Sequence, residues 1–97
     1  MPTYITLMNV TEQGMKNVKD LSKRFEEGVK TLTSMGGKLL GFYLVMGEYD
    51  YVGIAELPSD EAAMSFNLGL GARGNVRTTT LRAFTMEESG QILKKMP

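Results

Sequence analysis

The chain has 97 residues, of which 42% are hydrophobic, and its 11 basic and 11 acidic side chains give a formal net charge of zero. This length suits one domain, and the balanced charge lacks the basic surface with which proteins bind nucleic-acid phosphates. The absence of Cys excludes disulfides and thiolate nucleophiles, and the absence of His removes the commonest general base and metal ligand. We therefore predict no metal site, no cofactor and no nucleic-acid partner.

The N-terminal residues lack the basic start and the apolar stretch of a signal peptide. No segment approaches the roughly 18 apolar residues that would be needed to span a bilayer. These features predict a cytoplasmic protein without a membrane contact.

The chain begins with a predicted strand over Tyr4 to Val10, which is rich in β-branched and large apolar residues. A helix is predicted from Met15 to Met35, with Thr11 as its N-cap, because apolar residues recur there every three or four positions. Gly36-Gly37 is expected to end the helix, since glycine adopts the left-handed cap conformation without a steric penalty.

Two further strands are predicted over Leu39 to Met46 and over Tyr49 to Leu57. Only Gly47-Glu48 lies between them, which predicts an antiparallel hairpin. Pro58 stops the third strand, and Ser59 is placed to cap a second helix that runs to about position 73.

A fourth strand is predicted over Asn75 to Phe84. Thr85-Met86-Glu87-Glu88 then fits the capping-box pattern that opens a short last helix, which ends near Met96.

This order, β-α-β-β-α-β with a terminal helix, predicts an α+β fold of the ferredoxin-like split βαβ type. Its four-stranded antiparallel sheet would carry both main helices on one face. The second strand, Leu39 to Met46, is apolar on both sides, which indicates that both sides are buried. A second copy of the sheet is the simplest cover, so we predict a homodimer or higher homo-oligomer, packed sheet to sheet as a dimeric α/β barrel.

The segment Gly69 to Gly74 matches the dinucleotide-binding pattern G-x-G-x-x-G. That motif requires a strand before it and a helix after it, so that the pyrophosphate meets a helix N-terminus. Here the predicted helix precedes and the predicted strand follows. We therefore interpret the glycines as a site of close helix packing with a C-terminal cap at Gly74.

Four residues are the candidates for a ligand site, namely Tyr43, Tyr49, Asp50 and Arg82. Tyrosine offers an apolar ring with one polar group and arginine a fixed charge, which would suit a small molecule with an aromatic ring or a carboxylate. We expect the helices to fill one face of the sheet, so that a pocket forms on the other face near Tyr49 and the fourth strand. Structural alternatives stay open: Asp50 could hydrogen-bond the nearby backbone, and Arg82 could form a salt bridge.

Five segments together resemble the GYD domain family, namely residues Tyr4 to Leu7, Thr11 to Gly14, Gly47 to Asp50, Glu56 to Asp60 and Gly74 to Phe84. The resemblance covers nearly the whole chain. It implies one domain over residues 1–97, with a ferredoxin-like fold related to the dimeric α/β-barrel proteins, and it carries over no catalytic residue.

Two classes of function stay open. The first is a small cytoplasmic homo-oligomeric domain that binds a small molecule or serves as an assembly module. The second is a cofactor-independent enzyme resembling the small dimeric α/β-barrel monooxygenases or isomerases, which would have to use Tyr, Asp, Glu, Arg or Lys. A closed pocket lined by Tyr43, Tyr49 and Arg82 would favour binding or catalysis, whereas a packed interface would favour assembly.

Overall fold

The computed structural model describes the whole chain from Met1 to Pro97. It contains four strands and four α-helices, and a single 3-10 turn over Val18–Asp20 lies between the first two helices. In chain order the elements are β1 (Thr3–Val10), α1 (Glu12–Lys16), α2 (Leu21–Ser34), β2 (Lys38–Leu44), β3 (Tyr51–Glu56), α3 (Asp60–Ala72), β4 (Val76–Ala83) and α4 (Met86–Lys94).

All four strands form one antiparallel sheet in the order β2-β3-β1-β4. β1 is a central strand, and its first residue, Thr3, pairs with Glu56 of β3 on one side and with Ala83 of β4 on the other. The two crossovers contain α2 and α3. The predicted ferredoxin-like fold is confirmed.

The helix boundaries follow the capping residues that the sequence predicts. The side chains of Thr11 and Ser59 accept hydrogen bonds of 3.1 Å from the backbone N–H of the third residue of α1 and of α3, respectively. Thr85 and Glu88 form both bonds of a capping box at the start of α4. Gly36 and Gly74 have φ angles of 83° after the ends of α2 and α3, where a side chain would be strained.

The predicted helix from Met15 to Met35 is wrong as one continuous element. α1 ends at Lys16, and Asn17 leaves the helical conformation with φ −122° and ψ 32°. The reason is that α1 is fixed independently, since the Thr11 N–H donates to the carbonyl of Asn75 at 2.9 Å. Gly14 packs so closely there that a Cβ would lie 2.2 Å from the same carbonyl oxygen. The chain then turns before α2 can cross the sheet.

β2 and β3 form the predicted antiparallel hairpin, but the prediction that only Gly47-Glu48 connects them is wrong. β2 ends at Leu44 and β3 begins at Tyr51, so that a loop over residues 45–50 connects them. Tyr49 and Asp50 therefore lie in this loop and not in a strand. The physical reason is that the backbone N–H of Asp50 donates to Met8 of β1 at 2.9 Å, which draws the loop towards the central strand.

The apolar core is small and lies at one end of the layer between helices and sheet. Its buried members are Tyr4, Leu32, Leu57 and Ala63. Only eight of the 97 residues are buried, so that much of the layer is not closely packed. Every helix is too short or too polar to span a bilayer.

Candidate ligand-binding cavity

A cavity of about 420 Å³ occupies the part of the helix–sheet layer that the core leaves unfilled. Its floor is the helix-facing side of β1, β2 and β3, and its roof is formed mainly by α2 with the C-terminal half of α3. This volume lies within the range of pockets that take small molecules, about 300–1,000 Å³. The cavity is therefore the first candidate for a functional site.

Strand register explains which side chains form the floor. Successive side chains of a strand point to opposite faces, and Thr6 pairs with Gly53 while Met8 pairs with Tyr51. These four residues consequently share the helix-facing side. A Cβ added to Gly53 would lie 3.4 Å from the ring of Phe42 and 3.9 Å from the end of Met8, so the missing side chain leaves the floor low at its centre.

A stack of three aromatic rings forms one wall. Phe25 of α2 lies against Phe42 of β2, with ring centroids 4.4 Å apart and planes inclined by 30°. Phe42 in turn lies against Tyr51 of β3, with centroids 5.1 Å apart and planes inclined by 17°. Offset stacking of this kind stabilises the wall and presents a flat apolar surface.

Two arginines line the cavity, and they differ in exposure and in pairing. Arg73 is half exposed, and its Nη1 lies 3.8 Å from Oε2 of Glu27. Arg24 of α2 is partly buried, and its Nη1 is shielded from solvent without a hydrogen-bond partner. The exposed lining residues Ser22, Glu26 and Arg73 mark where the cavity meets solvent. Glu26 is the one carboxylate in the lining, and no group of three or more His, Cys, Asp or Glu side chains is placed to hold a metal ion.

The four residues chosen from the sequence do not line this cavity. Tyr43 pairs with Val52, so it lies on the opposite face of the sheet, and it is 57% exposed. Tyr49 and Asp50 are half-buried in the loop after β2. The expectation that the helices fill their face of the sheet is wrong, because Gly28 of α2 and Gly53 of β3 have no side chains to close the gap.

Arg82 lies on the helix-facing side at the other end of the sheet. It pairs with Tyr4 of β1, and its guanidinium lies 5.8 Å from the Tyr4 ring and 4.5 Å from the Phe84 ring. Its Nη2 is 3.8 Å from Oε2 of Glu88, which is the salt-bridge alternative. Arg82 lies beside Tyr4, whereas the loop of Tyr49 contacts Met8, which is four residues further along β1. At about 3.3 Å per residue this separation is about 13 Å, so the two candidates do not form one site.

The same end of the sheet contains a buried tyrosine that is hydrogen-bonded to an exposed carboxylate. The Tyr4 hydroxyl donates to Oδ1 of Asp60 at 2.5 Å, and the side chain of Tyr4 is 3% exposed. Burial, followed by the hydrogen bond to Asp60, raises the pKa of Tyr4 to about 12. Tyr4 therefore stays protonated as a hydrogen-bond donor and has a structural role.

Sequence reasoning missed Arg24, Phe42 and Gly53. One signal for Arg24 is present: it lies on the apolar side of α2 between Leu21 and Gly28, at helical spacing. A long cation within an apolar stripe, followed one turn later by glycine, is consistent with a space that side chains do not fill.

Comparisons with known proteins agree with the fold. The family model described as GYD domain matches residues 4–93. The chain is 30% identical over 89 residues to the glutamine synthetase and cystathionine beta-lyase binding protein of Thermus thermophilus, and the alignment covers 91% of this chain and 94% of that protein.

Two crystal structures share the fold. FFRP-DM1 superposes with a TM-score of 0.57 at 21% identity, covering 87% of this chain and 100% of that one. A mutant of MhuD with two manganese protoporphyrin IX molecules per active site superposes with a TM-score of 0.51 at 21% identity, covering 89% and 95%. At this identity the two structures support the fold alone.

Proposed function

The chain belongs to the GYD domain family, and we propose that it is a small-molecule-binding domain whose ligand occupies the cavity between α2 and the sheet. The cavity itself is the observation that carries the proposal. It is concave and mostly apolar, with a few polar groups that could orient a ligand, as binding pockets usually are.

The composition of the lining favours a ligand-binding cavity over an empty space without a function. Of the 20 lining residues 12 are hydrophobic, so a ligand would remove a large apolar surface from water. Unfilled apolar space also lowers stability, because the lining loses contacts that a closely packed core would have. A bound molecule would restore those contacts.

The test is a fragment screen on ¹⁵N-labelled protein, read by changes in amide chemical shift. We expect the binding fragments to shift the amides of Phe25, Phe42 and Gly53. Shifts confined to Tyr43, Tyr49 and the residues around Asp50 would instead favour the site predicted from the sequence. Shifts confined to the exposed side of α2, at Lys23 and Lys30, would contradict both sites.

We also propose that the domain works as a homodimer. The sheet face opposite α2 and α3 presents a continuous row of apolar side chains, which comprises Ile5, Leu7, Tyr43, Val52, Ile54 and Leu81. Tyr43 and Leu81 are 57% and 44% exposed. A second sheet packed on this face would bury apolar surface that a single small chain leaves in water, in an interface of about 1,600 Å² in total.

A second candidate function is the binding of another protein, and the relative from Thermus thermophilus favours it. That protein is described as binding glutamine synthetase and cystathionine beta-lyase, and this chain aligns with nearly all of it. An assembly module of this kind would bind a host enzyme as a homo-oligomer. Analytical ultracentrifugation of the chain mixed with each of the two enzymes from its own host would show a faster-sedimenting complex.

Catalysis is the less favoured alternative. An enzyme resembling the small monooxygenases or isomerases would need an acid or base in contact with its substrate. The lining supplies Tyr51 and, at the exposed edge, Glu26. A cytoplasmic location stays a prediction from the sequence.

A further inference from the structure

We infer that the cavity takes an anionic molecule with an apolar body, and that the guanidinium of Arg24 binds its carboxylate. This inference rests on the proposed function and specifies the ligand class and the residue that would select it. Arg24 lines the cavity, and its Nη1 is buried without a hydrogen-bond partner.

A buried arginine nitrogen without a partner requires an explanation. Arginine stays protonated in proteins, so it cannot avoid the cost of burial by losing its charge. Leaving a charged donor unpaired and shielded from water is unfavourable. Nearly all buried polar groups have a hydrogen-bond partner, and exceptions often mark functional positions.

The protein supplies no counter-charge for this group. Its two ion pairs join Arg73 to Glu27 and Arg82 to Glu88, and Arg24 takes part in neither. Glu26 lines the cavity but is exposed and makes no ion pair with Arg24. No carboxylate of the chain therefore balances the charge of Arg24, and because Nη1 itself is covered by protein atoms, a ligand would reach the other nitrogens of this partly exposed side chain.

The chemistry of guanidinium defines the complementary group. Its planar fork of N–H donors matches the two oxygens of a carboxylate in a bidentate arrangement. The aromatic stack of Phe25, Phe42 and Tyr51 lies in the same lining and offers a flat apolar surface to the rest of the molecule. An aryl or alkyl carboxylate would satisfy both parts at once.

A matched pair of probes tests the inference on the unmodified protein. The probes are 4-phenylbutyrate and 4-phenylbutanol, which share an apolar body and differ in the carboxylate. Both should shift the amides of Phe25 and Gly53 in an NMR titration at pH 7. The carboxylate should bind at least about tenfold more tightly than the alcohol, since one charge-assisted bidentate pair is worth this much.

Variants then assign the preference to one side chain. Arg24→Gln should abolish the preference for the carboxylate and change the affinity for the alcohol by less than about twofold. Arg77→Gln is the matched control, because Arg77 is exposed on the opposite face of the sheet and does not line the cavity. This control should keep the preference within about twofold.

The possible failures separate the two proposals. Equal affinity of both probes at the cavity would overturn the role of Arg24 and leave the cavity as a binding site. A preference that persists in Arg24→Gln would also overturn it. If neither probe shifts the cavity amides, both the inference and the proposed ligand site are wrong.

Discussion

The side chain of Asp50 accepts a hydrogen bond from the backbone N–H of Val10, with 2.8 Å between Oδ2 and the nitrogen. The backbone of Asp50 adds two bonds of 2.9 Å, because its N–H donates to the carbonyl of Met8 and its carbonyl accepts from Val45. Asp50 thus connects the end of central strand β1 with the loop between β2 and β3. This is the structural alternative expected for it, and its ligand-binding role stays a prediction.

Replacing Asp50 by alanine should lower the free energy of unfolding by about 1–3 kcal/mol, because the Val10 N–H loses its partner in a partly buried position. Asp50→Asn should lower the free energy of unfolding by less, since its amide oxygen can still accept the hydrogen bond from Val10. Urea denaturation followed by circular dichroism measures both variants. A variant that unfolds like the parent and loses a ligand would show that Asp50 is functional instead.

Stability should fall in strongly alkaline solution because of Tyr4. Its folded pKa is about 12, above the value of 10.0 for an unburied tyrosine. The folded state therefore holds this proton more tightly than the unfolded state. The resulting stability is complete below pH 10 and is lost as the pH rises towards 12.

Comparison with Tyr4→Phe isolates this effect. The phenylalanine variant should be less stable at pH 7, since it lacks the hydrogen bond to Asp60, and its stability should decline less between pH 10 and pH 12. Melting temperatures across this range measure the difference. Parallel declines in the two proteins would exclude Tyr4 as the cause.

Removing the charge of Arg24 should stabilise the ligand-free protein. Arg24→Met keeps a long apolar stem in the cavity and removes a buried donor that has no partner. Replacing such a group by an apolar one of similar length is expected to raise the free energy of unfolding by about 1–2 kcal/mol. Lys23→Met, at an exposed position of the same helix, is the control and should change it by less than about 0.5 kcal/mol. A loss of stability in Arg24→Met would mean that its nitrogen has a partner in solution.

Filling the floor of the cavity should weaken binding without unfolding the domain. A Cβ at Gly53 would meet its neighbours at 3.4–3.9 Å, which is ordinary van der Waals contact, so Gly53→Val should fold. Its methyl groups would occupy the space above Met8, and the affinity for 4-phenylbutyrate should fall at least about tenfold, the effect of losing about 1.4 kcal/mol. Isothermal titration calorimetry measures the change.

The control for that experiment lies on α3. A Cβ at Gly71 meets no atom within 4 Å, and Gly71 does not line the cavity. Gly71→Ala should bind like the parent, and its unfolding free energy should rise by about 0.5–1 kcal/mol because alanine favours the helix. Unchanged binding in Gly53→Val would place the ligand elsewhere.

A charge on the outer face of the sheet should prevent dimer formation. Ile54 of β3 lies on the face opposite α2 and α3, and a lysine there would be buried without a partner in a sheet-to-sheet dimer. Sedimentation at micromolar concentration should show a dimer, or a multiple of it, for the parent and a monomer for Ile54→Lys. Lys30→Glu on exposed α2 should sediment like the parent. A parent protein that is cleanly monomeric would contradict the assembly.

The order of elements was predictable because it depends on local chemistry. Caps at Thr11, Ser59 and Thr85 and glycines at 36 and 74 are determined by nearby hydrogen bonds and backbone angles. The alternation of side chains along a strand likewise places Arg77 and Arg82 on opposite faces of β4. These rules act over a few residues, so a single sequence is enough to apply them.

The break at Asn17 and the cavity were not predictable in this way. The turn between α1 and α2 follows from contacts of Thr11 and Gly14 with residues that lie some sixty positions later. The cavity depends on whether the side chains of α2, β2 and β3 together fill the space between the helix and the sheet. Hydrophobic spacing shows which side chains point inward but not whether they fill the space.

The central place of β1 in the sheet has a consequence for protein synthesis. β1 is translated first, but both of its neighbours, β3 and β4, are translated after α2, and β4 follows α3 as well. At about 5–20 residues per second, several seconds separate the appearance of β1 from that of its second neighbour. During this interval both edges of β1 lack their partner strands, and unpaired strand edges favour edge-to-edge aggregation.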